Sequence, residues 1–352
     1  MKENFFGKTV LVTGHTGFKG SWLIAWLNML GANVVGIGLK PHTFPSHFEV
    51  ADMIDGISNH YIDIRDLAQL QNIVAQYQPD YVFHLAAQSL VAKSYDDPVE
   101  TWTVNLVGVI NILESLRMLK KRCDAIIITS DKCYENLEWI WGYRENDRLG
   151  GKDPYSASKG AAEIAVRSFI KSYFTADQNN VRVASVRAGN VIGGGDWSEN
   201  RIVPDCVKAW SKGETVFLRN PHATRPWQHV LEPIGGYLLL ATKLTEKSAL
   251  SGESFNFGPP AHQDFSVGQL VTEMSKNWSN VRWEIQENET PVFYEAGLLK
   301  LNCDKALSLL GWQAKLSFEK TVKYTADWYK AFYDDESSIQ QVTENQIKEY
   351  MS

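Results

Sequence analysis

The stretch TVLVTGHTGFKGSWLIAWLNML, Thr9 to Leu30, constrains this chain more than any other. An apolar run of strand length ends in a turn carrying Gly14, Gly17 and Gly20, and a helical pattern follows at once. A tight turn, a close backbone approach and close helix packing each require a residue without a Cβ. The helix start then offers unpaired N–H groups and the positive end of its dipole to a pyrophosphate. Gly-x-x-Gly-x-x-Gly alone fits a structural turn equally well. Its place between a strand and a helix makes it a dinucleotide-phosphate loop, with His15, Thr16, Phe18 and Lys19 as further contacts.

The alternation continues. NVVGIGL (33–39), YVFHLAA (81–87), AIIITS (125–130) and RVASVRAG (182–189) read as strands buried on both faces, with helical periodicity between them. Such alternation implies a parallel sheet covered by helices on both sides. The expected architecture is an α/β, Rossmann-type doubly wound parallel sheet over residues 1–190, with a return segment near 227–257. Beyond it the strands shorten. Residues 191–352 read mainly as a smaller, irregular α/β C-terminal substrate domain, with the ligand cleft between the two. The polar tail after Trp328 reads as a loosely attached helix.

A net charge of −6 provides no basic face for nucleic acid. The richest apolar stretch, SWLIAWLNML, is too short to span a bilayer, so no membrane partner is expected. The N-terminus, MKENFFGKTVLVTG, enters a strand pattern at once, so no signal peptide is expected. Cys123, Cys133, Cys206 and Cys303 form no Cys-x-x-Cys pair, so neither a metal site nor a disulfide framework is expected. A reducing, cytoplasmic compartment is the plain reading.

Tyr155 and Lys159, in YSASK, fall one helical turn apart on one face. A phenol titrates at about 10, too high for a base at neutral pH. A neighbouring ammonium lowers that value, and the pair becomes a general base for a sugar hydroxyl while hydride leaves the carbon. Ser130, at the end of the fourth strand, offers a hydroxyl to the same oxygen. The second strand ends in Gly38, Leu39 and Lys40, without the acid that usually holds the NAD ribose. Lys40 reads either as a 2′-phosphate contact, hence NADP, or as a solvated lysine; NAD is the expected cofactor. Asp63 and Ile64 close a third strand, where the adenine edge would be read.

Serine, tyrosine and lysine in that order, after a Gly-rich turn, resemble the extended short-chain dehydrogenase/reductases, and the likeness covers nearly the whole chain. The resemblance implies that Leu85, Ala86, Ala87 and Gln88 line the nicotinamide side, with Asn105 steadying the helix there. It implies that Ser89, Asn190, Arg201 and Arg225 bind a sugar nucleotide, and that two chains pair through a four-helix bundle. His84, Trp197 and Trp227 also fit bland roles at the core edge or over the cleft. Epimerases and simple reductases of this family need only the serine, tyrosine and lysine. Sugar-nucleotide 4,6-dehydratases add an acid and a base directly after the serine or threonine, commonly Asp-Glu; here they are Asp131 and Lys132. The segments GHTGFKGSWL, SDKCYEN, DPYSASKGAAE and GNVIGGGDW look most like dehydratases acting on CDP-glucose, which carry lysine at this place and serve deoxysugar (O-antigen) synthesis. CDP-glucose is therefore the implied substrate, with another 4,6-dehydratase or a 4-epimerase activity as the alternative. Lys132 reads either as the base that removes H5 or as a partner that positions Asp131.

Overall fold

The computed structural model describes residues 1–175, 180–218, 220–278, 281–285 and 297–352. Seven strands build one sheet: β1 Thr9–Thr13, β2 Asn33–Gly38, β3 Ile57–Tyr61, β4 Tyr81–His84, β5 Cys123–Ile128, β6 Val181–Ala188 and β7 Ser254–Phe257. Their order is β7-β6-β5-β4-β1-β2-β3, and every neighbouring pair is parallel. Strand order reverses between β1 and β4, and in such sheets the crevice beyond the carboxyl ends at that point takes the ligand.

The helices used below are α1 Phe18–Met29, α2 Leu67–Tyr77, α3 Gly108–Arg117, α4 Pro154–Tyr173, α5 Leu231–Glu246, α6 Phe318–Asp334 and α7 Ile339–Met351. Successive strand side chains point to opposite faces. Val10 and Val12 of β1 enter a core with Trp22, Trp26 of α1 and Leu238 of α5. Leu11 between them enters a second core with Leu70 of α2, Ile112 of α3 and Val166 of α4. Both faces are thus covered, which is why inner strands such as β1 and β5 are buried along their length, unlike the edge strand β3.

The tail departs from its expectation. Ile339, Thr343 and Ile347 of α7 are fully buried, and Tyr350 nearly so. Spaced at helical intervals, they form one apolar stripe under a polar outer face. Tyr350 Oη donates to the buried Glu232 Oε2 at 2.7 Å, and Trp26 Nε1 donates to Met351 Sδ at 3.1 Å. Overall polarity of the tail concealed this stripe. From residue 191 onward the strands are short. Val191–Ile192 pairs with Gln228–His229, Thr215–Leu218 with Arg282–Ile285, and Thr224–Arg225 with Phe265–Ser266.

Candidate active site

The sequence DPYS starts α4. Asp153 Oδ1 accepts the Ser156 N–H at 2.9 Å, and the Asp153 N–H donates to Ser156 Oγ at 3.3 Å. Pro154 takes the first helical position, where its missing N–H costs nothing. This reciprocal cap fixes the phase of the first turn. Tyr155 and Lys159 consequently fall on the buried face.

Two residues beyond β5, Ser130 caps a single 3₁₀ turn, Asp131–Cys133, and accepts the Lys132 N–H at 3.3 Å. Ser130 Oγ donates to Asp131 Oδ1 at 3.0 Å. Lys132 Nζ donates to Asp131 Oδ2 at 2.9 Å and to Asn190 Oδ1 at 3.3 Å. The Asp131 carboxylate is 1% exposed, whereas the lysine side chain keeps 33% of its surface. The acid is sealed and its partner is part-exposed.

Burial pushes the Tyr155 phenol up to about 12, with the Ser130 hydrogen bond pulling the other way. Burial lowers Lys159 to about 7, and the charge of Lys19 acts in the same sense. Lys159 Nζ lies 6.0 Å from the Tyr155 ring centroid. The sequence led to the opposite expectation, a phenol lowered by its ammonium; here desolvation is the larger effect.

In the phosphate loop Gly14 has φ +72°, and a Cβ on Gly20 would lie 2.1 Å from the Gly14 carbonyl oxygen. Gly17 caps α1. These glycines leave a cradle at a helix start whose first amides have no helical acceptor, and a dinucleotide pyrophosphate fits it. His15 Nε2 lies 2.6 Å from Asn59 Oδ1, and Thr16 Oγ1 donates to the Leu39 carbonyl at 2.8 Å. Both side chains brace the loop against the neighbouring strand segments. The Phe18 ring lies beside Gly193. Lys19 is lowered to about 8 by burial and by Arg201, and the charges of Asp131, Lys132 and Asp196 also act on it. It therefore belongs with the acid–base cluster as much as with the loop.

Asp63 is held by Arg65 at 2.6 Å, which keeps its carboxyl below the usual range. The Ile64 carbonyl accepts from Asn111 Nδ2 at 3.1 Å. The Leu85 and Ala86 N–H groups donate to the Thr13 carbonyl and hydroxyl, at 3.1 and 3.3 Å, with Ala87 next in the loop. Asn105 Oδ1 accepts the Gln88 N–H at 2.9 Å, while its Nδ2 donates to the Gln88 carbonyl at 3.0 Å and to Ser158 Oγ at 2.9 Å. Asn105 sits in a π-helical segment, Thr103–Val107, the kind of bulge that often accompanies a functional site. Its side chain joins the loop after β4 to α4. The Gln88 amide is likewise engaged, with the Leu90 carbonyl and Thr101 Oγ1.

Arg201 Nη1 donates to Asp196 Oδ2 at 2.8 Å, and its Nη2 to Ser89 Oγ at 3.4 Å. Asn190, at φ +51°, holds Lys132. Arg225 is placed on another segment, donating to the carbonyls of Thr224 and Gly297 at 2.8 and 3.3 Å. Sequence reasoning missed Asp196, Glu163 and Arg187. The signals were present: an aspartate after three glycines, a glutamate four residues beyond Lys159, and an arginine inside an apolar strand.

Residues 11–325 match the family described as GDP-mannose 4,6 dehydratase. The chain belongs to that family. This GDP-mannose 4,6 dehydratase family enzyme is 43% identical to the CDP-glucose 4,6-dehydratase of Salmonella typhimurium, over 99% of this chain and 98% of the relative. An epimerase from Methanothermobacter thermautotrophicus has the same fold, with a TM-score of 0.79 at 23% identity over 95% of this chain and 96% of that one. The UDP-glucose 4-epimerase of Thermus thermophilus, solved as a complex with NAD, gives 0.78 at 23% identity over 92% and 99%. The expected doubly wound α/β fold and the family resemblance are both borne out. Among the described residues, no helix is long and apolar enough to cross a membrane.

Proposed function

We propose that this enzyme converts CDP-glucose to CDP-4-keto-6-deoxyglucose and water, with NAD as its cofactor, as a step of deoxysugar synthesis in the cytoplasm. The observation that carries the reading is the Asp131–Lys132 contact of 2.9 Å on the turn directly after Ser130. The relative of 43% identity bears the corresponding name. The cofactor belongs to residues 1–190 and the sugar nucleotide mainly to residues 191–352, with Arg201, Asn190, Ser89 and Arg225 as its contacts.

Bound NAD supplies a hydride acceptor for C4 and later a hydride donor for C6. Gly14 to Gly20 hold its pyrophosphate, and the loop from Leu85 to Gln88 lines its nicotinamide side. Tyr155 takes the proton of the 4-hydroxyl as a phenolate, which Lys159 and Ser130 must stabilise against the burial that raises the phenol, and Ser130 hydrogen-bonds the same oxygen. The 4-ketone acidifies H5. One proton moved from Lys132 Nζ to Asp131 Oδ2, along their 2.9 Å contact, turns an ion pair into a neutral amine and a neutral acid. Lys132 then removes H5, and Asp131 protonates the departing 6-hydroxyl. Water leaves and a proton returns to C5; with the hydride that bound NAD would give back to C6, the reaction has no net redox change.

The test is mass spectrometry after incubation with NAD and CDP-, GDP-, UDP- or dTDP-glucose in heavy water. Loss of one water with gain of one solvent deuterium, fastest with CDP-glucose, is the expected result. An isomer of unchanged mass would replace this reading with a 4-epimerase.

A further inference from the structure

The acid–base turn is gripped from both ends by one buried ion pair that takes no part in the steps above. Glu163 lies on α4, one turn beyond Lys159 and two beyond Tyr155, on the same face. Its Oε1 accepts from Thr129 Oγ1 at 2.5 Å, and Thr129 directly precedes Ser130. Its Oε2 accepts from Ser185 Oγ at 2.9 Å and from Arg187 Nη2 at 2.7 Å. Arg187 Nη1 then donates to Tyr134 Oη at 2.7 Å and to the Glu145 carbonyl at 3.0 Å, and the guanidinium lies 4.9 Å from the Tyr134 ring centroid. Tyr134 directly follows the turn Asp131–Cys133.

The two side chains are 0% and 2% exposed. Desolvating both ions offsets much of their attraction, so a buried pair is a weak source of stability. Arg187 Nε also has no acceptor among the described residues. The pair is therefore poorly suited to stabilisation alone, yet it joins α4, β5, β6 and the segment after the turn at a single point. Glu163 also opposes the lowering of Lys159 by burial.

We infer that Glu163 and Arg187 are positioning residues that hold the Asp131–Lys132 turn in register with Tyr155, so that water elimination depends on them more than C4 oxidation does. The inference rests on the proposed dehydratase reaction. Displacing a reacting group by about 1 Å can cost about 100-fold in rate. Oxidation uses Tyr155, Ser130 and Lys159, two of which sit on α4 itself. Elimination uses the turn, which the ion pair has to bring to α4.

The test uses Thr129→Val, which removes one hydrogen bond, and the double variant Glu163→Gln/Arg187→Met, which leaves no unpaired buried charge. Glu232→Gln, at the buried contact with α7, serves as a control for general destabilisation. Reduced-nicotinamide absorbance reports oxidation in a single turnover, mass spectrometry reports water loss, and thermal melts report the fold. The expected result is that the ratio of reduced cofactor to water released rises about tenfold or more in both variants at the site and stays unchanged in Glu232→Gln. Proportional slowing of both steps, or an unchanged ratio in folded Thr129→Val, would overturn the inference. Absence of water loss in the unsubstituted enzyme would overturn the parent reaction along with it, and that failure is visible before any variant is made.

Discussion

Asp131 and Lys132 are adjacent in sequence yet live in different environments, one sealed and one part-exposed. That difference decides what each can do: the sealed carboxyl is fixed by Ser130 and Lys132, while the part-exposed amine can reach a substrate carbon. Asp131→Asn keeps the shape and removes the acid. Its turnover should fall about 100-fold or more, with C4 oxidation continuing and reduced cofactor building up; normal turnover would exclude Asp131 as the acid. Lys159 makes a second prediction, on stability. Its folded value of about 7 lies below the ordinary 10.5. Between those values the unfolded chain binds a proton that the folded chain has released, so this group makes stability rise with pH across that window. Below it the full cost of burying the ammonium is present. Lys159→Met removes that cost, so the variant's melting temperature relative to the unsubstituted chain should be highest at about pH 6.5 and decline by about pH 9.5. A difference that does not vary with pH would count against a buried, lowered lysine.

Among the elements, the exit of β6 does the most for the site. A Cβ on Gly189 would lie 1.9 Å from Asp131 Oδ2. Gly189→Ala must therefore displace the acid, and we expect kcat to fall about 100-fold with little change in KM or in the far-ultraviolet spectrum. Steady-state kinetics would show whether KM moves instead. The elements themselves were legible in the sequence, because strands covered on both faces are continuous apolar runs and Gly14, Gly17 and Gly20 mark the first turn. The Tyr155–Lys159 spacing and the capping residues of α4 were equally local. What could not be read were effects that need distant neighbours. Thr129 meets Glu163 across 34 residues, and Asn105 meets Ser158 across 53. The raised phenol of Tyr155 follows from how much protein surrounds it, which spacing on a helix does not report. The tail was misread because its average polarity hid a four-residue stripe.

At the scale of the whole molecule, an exposed apolar face stands on α4 and the segment before α3. Val99, Trp102, Val107 and Ile164, on the segment leading into α3 and on α4, are 71%, 37%, 40% and 60% exposed. Large exposed apolar residues grouped on two neighbouring helices mark an interaction face. We expect a homodimer through this face, as a four-helix bundle. Trp102→Glu combined with Ile164→Glu should yield monomers in sedimentation velocity, and a dimer surviving both changes would place the interface elsewhere. The contact of α7 with α1 has a consequence for how the enzyme is made. The helix that opens the phosphate loop is backed by Tyr350 and Met351. A ribosome adds 325 residues after Trp26 before Met351 exists. Over that stretch of synthesis Trp26 therefore lacks its final cover, and the helix behind the cofactor loop gains its full backing only when α7 arrives.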